Sequence, residues 1–196
     1  MQKLWPVCDG YASAPDTIDM KLLIASDLHG SARWCRELLE ACNREQADRL
    51  LLLGDILYHG PRNSLPEEYD PKAVAAMLNA IKSQILCVRG NCDAEVDQMM
   101  LEFPITADFA FLAVDGLRIY ATHGHVFHPD HLPPLQPGDI LLFGHTHVPF
   151  QEKRSEVLCL NPGSVSIPKQ QTPHSYMALE NGVFQWKTLD GKPAII

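Results

Sequence analysis

Short apolar runs alternate with amphipathic segments along the first half of the chain, which is typical of alternating strands and helices. Three apolar runs predict buried strands, at 22–26, 49–53 and 85–88. Three amphipathic segments predict helices: one after Ser31 with Cys35, Leu38, Leu39 and Cys42 on one face, one that begins at Asp70 and Pro71, and one with Val96, Met99, Met100 and Phe103 that ends near Pro104. We expect the helix faces rich in Met and Cys to pack in the core.

The second half of the chain combines strands with tight turns. Two pairs of residues, Asp115-Gly116 and Asn181-Gly182, are strong signals for two-residue hairpin turns. The apolar runs predict six strands, at 109–114, 117–122, 140–143, 157–160, 176–179 and 183–188. A half with alternating strands and helices, followed by a half rich in hairpins, predicts two packed sheets with helices outside them.

The 196 residues suit one domain, and no internal repeat or linker interrupts them. We therefore expect residues 20–196 to form a single domain and residues 1–19 to be an N-terminal extension of unknown role. Met20 stands directly before the first predicted strand. An alternative translation start at Met20 is therefore left open.

Composition and charge exclude several classes of protein. Hydrophobic residues make up 46% of the chain and charged residues 20%, so a sizeable core can be buried. The formal net charge of −8 disfavours binding to the negatively charged backbone of a nucleic acid, so we expect no stable nucleic-acid complex. No apolar run approaches the roughly 20 residues that a membrane-spanning helix needs, so we expect no membrane partner.

The six cysteines indicate neither a zinc ribbon nor a disulfide framework, because none stands in a C-x-x-C pair and a chain of this length can fold without disulfides. Residues 1–19 contain no apolar stretch of the kind that a secretory signal needs. We expect a reduced protein in the cytoplasm.

Polar residues of types that bind metal ions follow five of the predicted strands. Any one of these loops could be purely structural, but five of them at successive strand ends indicate one shared site. Because ligands gather at the carboxyl ends of strands in α/β sheets, we expect the five loops to converge on one crevice. The candidate ligands are Asp27, His29, Asp55, Asn91, His123, His145 and His147.

Carboxylate, imidazole and carboxamide ligands suit borderline divalent ions such as Mn²⁺, Fe²⁺, Co²⁺ or Zn²⁺. Seven candidates are too many for one tetrahedral ion but enough for two ions that share a ligand. Asp55 could bridge two ions roughly 3.5–4 Å apart, the separation found in two-metal hydrolytic sites. Such a centre is locally positive and attracts a phosphodiester anion even on an acidic protein.

The ordered motifs D-x-H, G-D, G-N-x-D, H and G-H-x-H resemble those of the calcineurin-like metallophosphoesterase superfamily, over about residues 20–190. Four segments more closely resemble the small bacterial YfcE-type phosphodiesterases: 26–30 (SDLHG), 59–63 (HGPRN), 89–93 (RGNCD) and 161–165 (NPGSV). The resemblance implies a four-layer α/β/β/α sandwich, in which two mixed sheets are flanked by helices. It is also compatible with a homo-oligomer.

The resemblance further implies two divalent ions, most often Mn²⁺, with Fe, Zn, Co and Ni as alternatives. A hydroxide that bridges the ions would hydrolyse a small phosphodiester. Carried over by motif, the ligands of the first ion are Asp27, His29, Asp55 and His147. Those of the second ion are Asp55, Asn91, His123 and His145. The residues expected to serve catalysis directly are Asp55, Asn91, Cys92 and His123.

Cys92 departs from the superfamily pattern. The third motif usually reads G-N-H-D or G-N-H-E, and its histidine contacts phosphate and can help the leaving group depart. A neutral thiol is a poorer hydrogen-bond donor than an imidazolium. We hypothesise that another group such as His125 assists, or that substrates with good leaving groups are preferred.

Other functions compete with a phosphodiesterase. The same two ions could serve a phosphomonoesterase or nucleotidase, whereas a nuclease is disfavoured by the acidic charge. Some relatives of this fold, including a retromer subunit, are interaction scaffolds with eroded metal ligands, but all seven ligand types are present here. Arg62 could hold a substrate phosphate or form a surface salt bridge.

Overall fold

Two five-stranded sheets pack face to face in residues 20–194, the part of the chain that the computed structural model describes. The elements in this range are β1 (Leu22–Ala25), α1 (Ala32–Glu45), β2 (Arg49–Leu52), α2 (Pro71–Ala80), β3 (Ile85–Cys87), α3 (Glu95–Gln98), β4 (Phe109–Val114), β5 (Leu117–Thr122), β6 (Ile140–Leu142), β7 (Pro149–Arg154), β8 (Val157–Pro162), β9 (Ser175–Glu180) and β10 (Val183–Thr188). The predicted extension at 1–19 lies outside the described residues. The division of the chain into 1–19 and 20–196 stays a prediction.

Both sheets are mixed. The first has the strand order β10-β9-β1-β2-β3, in which β1, β2 and β3 run parallel. The second has the order β4-β5-β6-β8-β7, in which β5, β6 and β8 run parallel. Parallel strands bring their carboxyl ends to the same edge of a sheet, and the predicted ligands follow these ends. The two mixed sheets confirm the predicted fold class.

Alternating side chains of β1 divide the core into layers. Leu22 and Ile24 face the second sheet, and Leu23 and Ala25 face the helices, with all four fully buried. Full burial of a leucine or isoleucine side chain contributes roughly 1.5–3 kcal/mol. Helices α1 and α2 cover the outer face of the first sheet. Over the outer face of the second sheet, the loop between β5 and β6 packs Leu132 and Leu135.

The helix starts and hairpin turns agree with the sequence signals. The Ser31 hydroxyl accepts a hydrogen bond from the Trp34 amide at 3.3 Å, and α1 follows it directly. The Asp70 carboxylate accepts from the Ala73 amide at 3.0 Å at the start of α2. Both turn pairs, Asp115-Gly116 and Asn181-Gly182, have positive φ at each residue, as a type I′ turn requires.

The third helix is much shorter than the pattern predicts. Helix α3 ends at Gln98, and Met99 and Met100 are 84% and 45% exposed, so their placement in the core was wrong. The Gln98 side chain explains this ending, because its amide nitrogen donates to the carbonyls of Leu101 and Phe103. These bonds hold the following chain in an irregular path instead of a continued helix.

Strand β7 was not predicted. It is an edge strand that pairs only with β8 among the described strands, and its last four residues, 151–154, are exposed. These four residues are polar on both faces, so no alternation of apolar and polar residues marks the strand. Among residues 20–194, no helix has the length and apolar character that crossing a membrane requires.

A cluster of charges joins the end of α1 to the residue before β1 and to strands β9 and β10. The Glu45 carboxylate accepts hydrogen bonds from Lys187 and Tyr176 at 2.8 Å and pairs with Lys21 at 3.1 Å. Burial by itself would raise the pKa of Glu45, but these three donors outweigh burial and lower the pKa to about 2. The depressed pKa means that the ionised carboxylate stabilises the folded state.

We expect acid to weaken the fold through Glu45. The stabilisation is complete above the ordinary pKa of 4.5 and is lost as the pH falls towards about 2. We expect this loss to be about 2 kcal/mol, because partial exposure of the two lysines screens the ion pairs. Urea unfolding at pH 6 and pH 3 measures it. Glu45→Gln should flatten this pH dependence, whereas Glu40→Gln, an exposed control on the same helix, should not. Equal pH dependence in both variants would contradict the assignment.

Candidate metal centre

The structure brings the seven predicted ligand residues together at the carboxyl ends of β1, β2, β3, β5 and β6. Three groups of side chains each have ligand atoms within 4.8 Å of one another: Asp27, His29 and His147; Asp27, Asp55 and His123; and His29, Asp55 and Cys92. The convergence expected from the sequence is therefore present. Cys92 lies at the edge of the cluster, although the sequence offered it no ligand role.

Asp55 lies at the middle of the cluster. Its Oδ2 atom is 3.6 Å from His29 Nε2 and 3.4 Å from His123 Nε2, and these histidines were predicted to bind different ions. Its Oδ1 atom accepts a hydrogen bond from the Cys92 amide at 2.8 Å, which holds the carboxylate in place. One carboxylate oxygen thus faces ligands of both predicted positions, as a bridging ligand must.

The remaining predicted ligands separate into two sides around Asp55. On one side, His29 Nε2 and His147 Nε2 are 3.3 Å apart. On the other side, His123 Nε2 is 3.0 Å from Asn91 Oδ1 and 3.3 Å from His145 Nδ1. This division matches the two ligand sets that the resemblance implies.

Backbone carbonyls orient three of the imidazoles. The Nδ1 atoms of His29, His123 and His147 donate to the carbonyls of Tyr58, Leu53 and Ile167 at 2.7–2.8 Å. A carbonyl oxygen can only accept, so each Nδ1 carries the proton. Each Nε2 is then directed into the cluster, which is the orientation that a metal-binding histidine needs.

Asp27 provides the clearest indication that a cation fits here. Its side chain is fully buried, and its Oδ1 atom has no hydrogen-bond partner among residues 20–194. A buried carboxylate oxygen without a partner is costly. The oxygen lies 3.3 Å from His147 Nε2 and 3.6 Å from His29 Nε2, so a divalent ion between these atoms would satisfy all three. The donor set fits a borderline divalent ion.

The backbone is strained at the same place. Five of the seven predicted ligands have φ between +48° and +67°, the left-handed region: Asp27, His29, Asp55, His145 and His147. Such conformations cost energy in residues other than glycine and cluster at functional sites. The strain directs these side chains from loop positions towards a common centre.

Sequence reasoning missed the role of Asp93. Its buried carboxylate accepts the amides of Asp55 and Ile56 at 2.8 Å and of Gly90 at 2.7 Å. It thereby joins the loop after β2 to the loop after β3. A Cβ atom at Gly90 would overlap the Asp55 amide nitrogen and carboxylate, so only glycine permits this close approach. The motif G-N-x-D contained Asp93, but nothing in the motif indicated its partners.

Asn161 was also missed as a supporting residue. Its fully buried amide nitrogen donates to the Gly144 carbonyl at 2.8 Å and to the Thr146 hydroxyl at 3.1 Å. These bonds hold the loop that carries His145 and His147. Nearby, the hydroxyls of Ser164 and Ser166 donate to the Asp27 carbonyl at 3.0 Å and 2.9 Å. The segment 161–166 therefore supports two ligand loops.

The charges of the cluster favour cation binding. Burial would raise the pKa of Asp27, but the imidazoles of His147 and His29 hold it well below its ordinary range. Burial lowers the pKa of an imidazole, yet the carboxylates of Asp55 and Asp27 raise that of His123 to about 9. Burial and His123 lower the pKa of His145 to about 4. The carboxylates thus draw positive charge into the cluster, and bound cations would replace the proton on His123.

A cavity of about 460 Å³ opens beside the centre. Asp55, Asn91 and Cys92 line one wall, and the exposed cations Arg62 and Lys169 lie at its border. Arg62 was a sequence candidate, whereas Lys169 was not identified. Burial and the nearby Asp55 raise the pKa of the Cys92 thiol to about 12. The cavity therefore offers positive charge and a neutral thiol to an anionic ligand.

Comparisons with known proteins agree with this geometry. A family model described as the calcineurin-like phosphoesterase superfamily domain matches residues 20–182. The chain is 48% identical to phosphodiesterase YfcE of Escherichia coli strain K12, over 90% of this chain and 96% of the relative. It is 29% identical to phosphodiesterase MJ0936 of Methanocaldococcus jannaschii, over 74% of this chain and 83% of the relative.

A solved structure gives the same result. The structure of YfcE, described as a phosphoesterase from E. coli, matches with a TM-score of 0.87 and 47% identity, over 90% of this chain and 97% of that chain. The resemblance predicted from the motifs is thereby confirmed, both for the superfamily and for its YfcE-type members.

Proposed function

Because the chain belongs to the calcineurin-like phosphoesterase superfamily, we propose that it is a metal-dependent phosphodiesterase with two divalent ions, preferably Mn²⁺, at the cluster around Asp55. The observation that carries the proposal is the position of Asp55 Oδ2 between His29 and His123. One carboxylate oxygen that faces two sets of ligands suits a pair of ions. A single ion would leave one of the two sets without a purpose.

Each residue has a role in this proposal. Asp27, His29 and His147 hold one ion, Asn91, His123 and His145 hold the other, and Asp55 is shared. When bound, the ions supply a nucleophile from water at neutral pH and neutralise charge on the phosphate. Asp93 and Asn161 position the ligand loops without touching the substrate. The carbonyls behind His29, His123 and His147 hold the proton at Nδ1 and turn each Nε2 towards the ion that it would bind.

The positive charges of Arg62 and Lys169 complement the negative charge of a phosphodiester. Both side chains lie at the border of the cavity that Asp55 and Asn91 line. Arginine offers donors that match phosphate oxygens, and lysine adds a point charge. They would hold the phosphate over the centre, against the overall charge of −8. We assign them to substrate binding, not to the chemistry.

The identity of residue 92 affects which leaving groups the enzyme can expel. It lies in the first cavity with the proposed phosphate site, whereas His125 lines a neighbouring cavity. A thiol whose pKa is raised to about 12 remains neutral and is a poor proton donor to a departing alkoxide. Of the two hypotheses, we therefore favour a preference for substrates with good leaving groups.

We expect Cys92→His to improve turnover of poor leaving groups selectively. An imidazolium can protonate the departing oxygen, and general acid catalysis typically contributes about 10²–10⁴-fold. Because a nitrophenolate needs little protonation, we expect at least a tenfold gain in kcat/KM for a phenyl ester relative to a nitrophenyl ester. Steady-state rates on phenyl and 4-nitrophenyl diesters measure it. An unchanged ratio of the two kcat/KM values would show that residue 92 has no effect on departure of the leaving group. Cys87→Ser, which lies away from the cavity, serves as the control.

We also propose that the protein resides in a reducing compartment. The five cysteines of the described region, Cys35, Cys42, Cys87, Cys92 and Cys159, are all free, which supports the cytoplasm as the location. Formation of a homo-oligomer stays a prediction.

The direct test of the proposed function is metal reconstitution. The protein is stripped with a chelator, and hydrolysis of bis(4-nitrophenyl) phosphate and of 4-nitrophenyl phosphate is measured with and without Mn²⁺. We expect Mn²⁺ to restore diester hydrolysis and the monoester to be turned over at least tenfold more slowly. Preference for the monoester would indicate a phosphomonoesterase. Tight metal binding without turnover of either ester, across several metals, would indicate a binding module.

A further inference from the structure

A second cavity adjoins the one beside the metal centre. It has a volume of about 520 Å³, and both cavities are lined by His145 and Thr146. His145 Nδ1 is 3.3 Å from His123 Nε2 in the centre of the cluster. A group that contacts His145 from the second cavity is therefore one side chain away from a phosphate held at the centre. The two cavities lie where two substituents of one phosphate would extend.

The two cavities differ in chemistry. The first contains Arg62, Lys169 and the Asp55 carboxylate, and it suits a charged group. The second has Val148, Phe143 and Phe150 on one side, and it is also lined by the imidazoles of His125 and His128 and by the charged side chains of Asp130 and Arg154. Apolar and aromatic side chains bind flat apolar rings through area burial and edge or face contacts. The second cavity therefore suits an aromatic group that packs on the apolar side and carries polar substituents towards Asp130 and Arg154.

The aromatic wall is closely packed. Phe143 is buried, and its ring meets that of Phe150 edge to face, with centroids 5.7 Å apart and an interplanar angle of 67°. Phe150 lies opposite Asn161 in the pairing of β7 with β8. Asn161 also holds the loop that carries His145 and His147. Asn161 thus connects the strand that carries Phe150 to the loop that carries the two ligands.

We propose that the second cavity binds the ester group that the substrate retains, and that this group is aromatic. The proposal rests on the proposed phosphodiesterase function. Cys92 lines the first cavity and stands where the superfamily has the histidine that helps the leaving group depart, so the leaving group lies in the first cavity. The retained group then extends past His145 into the second. A monoester has no such group and lacks this contact. The enzyme would therefore bind diesters more tightly than monoesters.

Two substrates with the same leaving group test the proposal. Bis(4-nitrophenyl) phosphate retains an aryl group, and methyl 4-nitrophenyl phosphate retains a methyl group. We expect Phe150→Leu to lower the ratio of kcat/KM for the aryl over the methyl substrate about threefold to tenfold, because the aromatic contact is lost. The ratio cancels any change in the fraction of active enzyme. Phe111→Leu, the same change on the exposed edge strand β4, should leave the ratio as it is.

A second variant guards against loss of folding in the first. Val148→Trp fills the cavity, and we expect it to reduce hydrolysis of the bis-aryl substrate while that of the methyl substrate persists. An unchanged ratio in both variants would overturn the proposal. Equal losses on both substrates leave this ratio unchanged and therefore count against the proposal, because the retained aryl group then makes no contact of its own in this cavity.

Binding separates this proposal from the proposed function. Diphenyl phosphate, which has poor leaving groups, is titrated by calorimetry against wild type, Phe150→Leu and Phe111→Leu. We expect Phe150→Leu alone to raise the Kd about threefold to tenfold. If the wild type hydrolyses neither diester but shows this pattern of binding, the phosphodiesterase proposal fails and the aromatic cavity stands. If turnover is present and the Kd does not change, the cavity proposal alone fails.

Discussion

Asp55→Asn is expected to lower kcat/KM for bis(4-nitrophenyl) phosphate by about a thousandfold or more in the presence of Mn²⁺. The substitution keeps the shape of the side chain but removes its negative charge and replaces one oxygen by an amide nitrogen that cannot accept. Asp55 Oδ2 faces His29 and His123, so both ion positions lose a ligand at once. The metal contribution to the barrier is several kcal/mol, and about 4 kcal/mol corresponds to a thousandfold.

The control for this variant is Asp190→Asn, an exposed aspartate in the turn after β10. It should retain the wild-type rate. Thermal unfolding of the metal-free proteins shows whether Asp55→Asn is folded, and we expect a well-defined transition. Retention of more than a tenth of the wild-type kcat/KM by folded Asp55→Asn would rule out a shared, bridging role for this residue.

Asp93→Ala is expected to have the second largest effect, on stability and activity together. It leaves the amides of Asp55, Ile56 and Gly90 without their acceptor. A buried donor without a partner costs about 1–3 kcal/mol, so we expect the free energy of unfolding to fall by about 3 kcal/mol or more. The amide of Asp55 is one of the three, so the proposed bridging ligand loses its position, and we expect at least a hundredfold loss of kcat/KM.

Asp93→Asn distinguishes positioning from general destabilisation. In the wild type, Oδ2 accepts from Asp55 and Gly90, and Oδ1 accepts from Ile56. An asparagine keeps one oxygen for the first pair, and we expect it to recover activity in part. Urea unfolding and calorimetric titration with Mn²⁺ measure both variants. Wild-type affinity for Mn²⁺ in folded Asp93→Ala would contradict the positioning role.

The sequence predicted most of the fold because most elements bury one face. Strands β1 and β2 are apolar on both faces, and the apolar spacing in α1 follows its cap at Ser31. Strand β7 was not predicted because its exposed residues do not alternate between apolar and polar types. The length of α3 was overestimated because hydrogen bonds from the Gln98 side chain end the helix before its apolar periodicity does. Patterns of hydrophobicity do not record such local competition.

The candidate ligands were predictable because each follows a strand end, and strand ends converge in this fold. The supporting residues were not. Asp93 and Asn161 act through hydrogen bonds to backbone amides and carbonyls. Such bonds require no particular residue type at the partner position, so no sequence motif marks them. Lys169 reaches the cavity from a loop distant in sequence from the ligand motifs. Each of these contacts arises only when loops from separate strands meet.

The measurement that tests the account most directly is an anomalous-difference map from a crystal of the full chain grown with Mn²⁺. The account predicts two peaks roughly 3.5–4 Å apart with Asp55 coordinating both. It further predicts Asp27, His29 and His147 at one peak, and Asn91, His123 and His145 at the other. A single peak at full occupancy, or two peaks of which only one contacts Asp55, would contradict the shared two-ion centre.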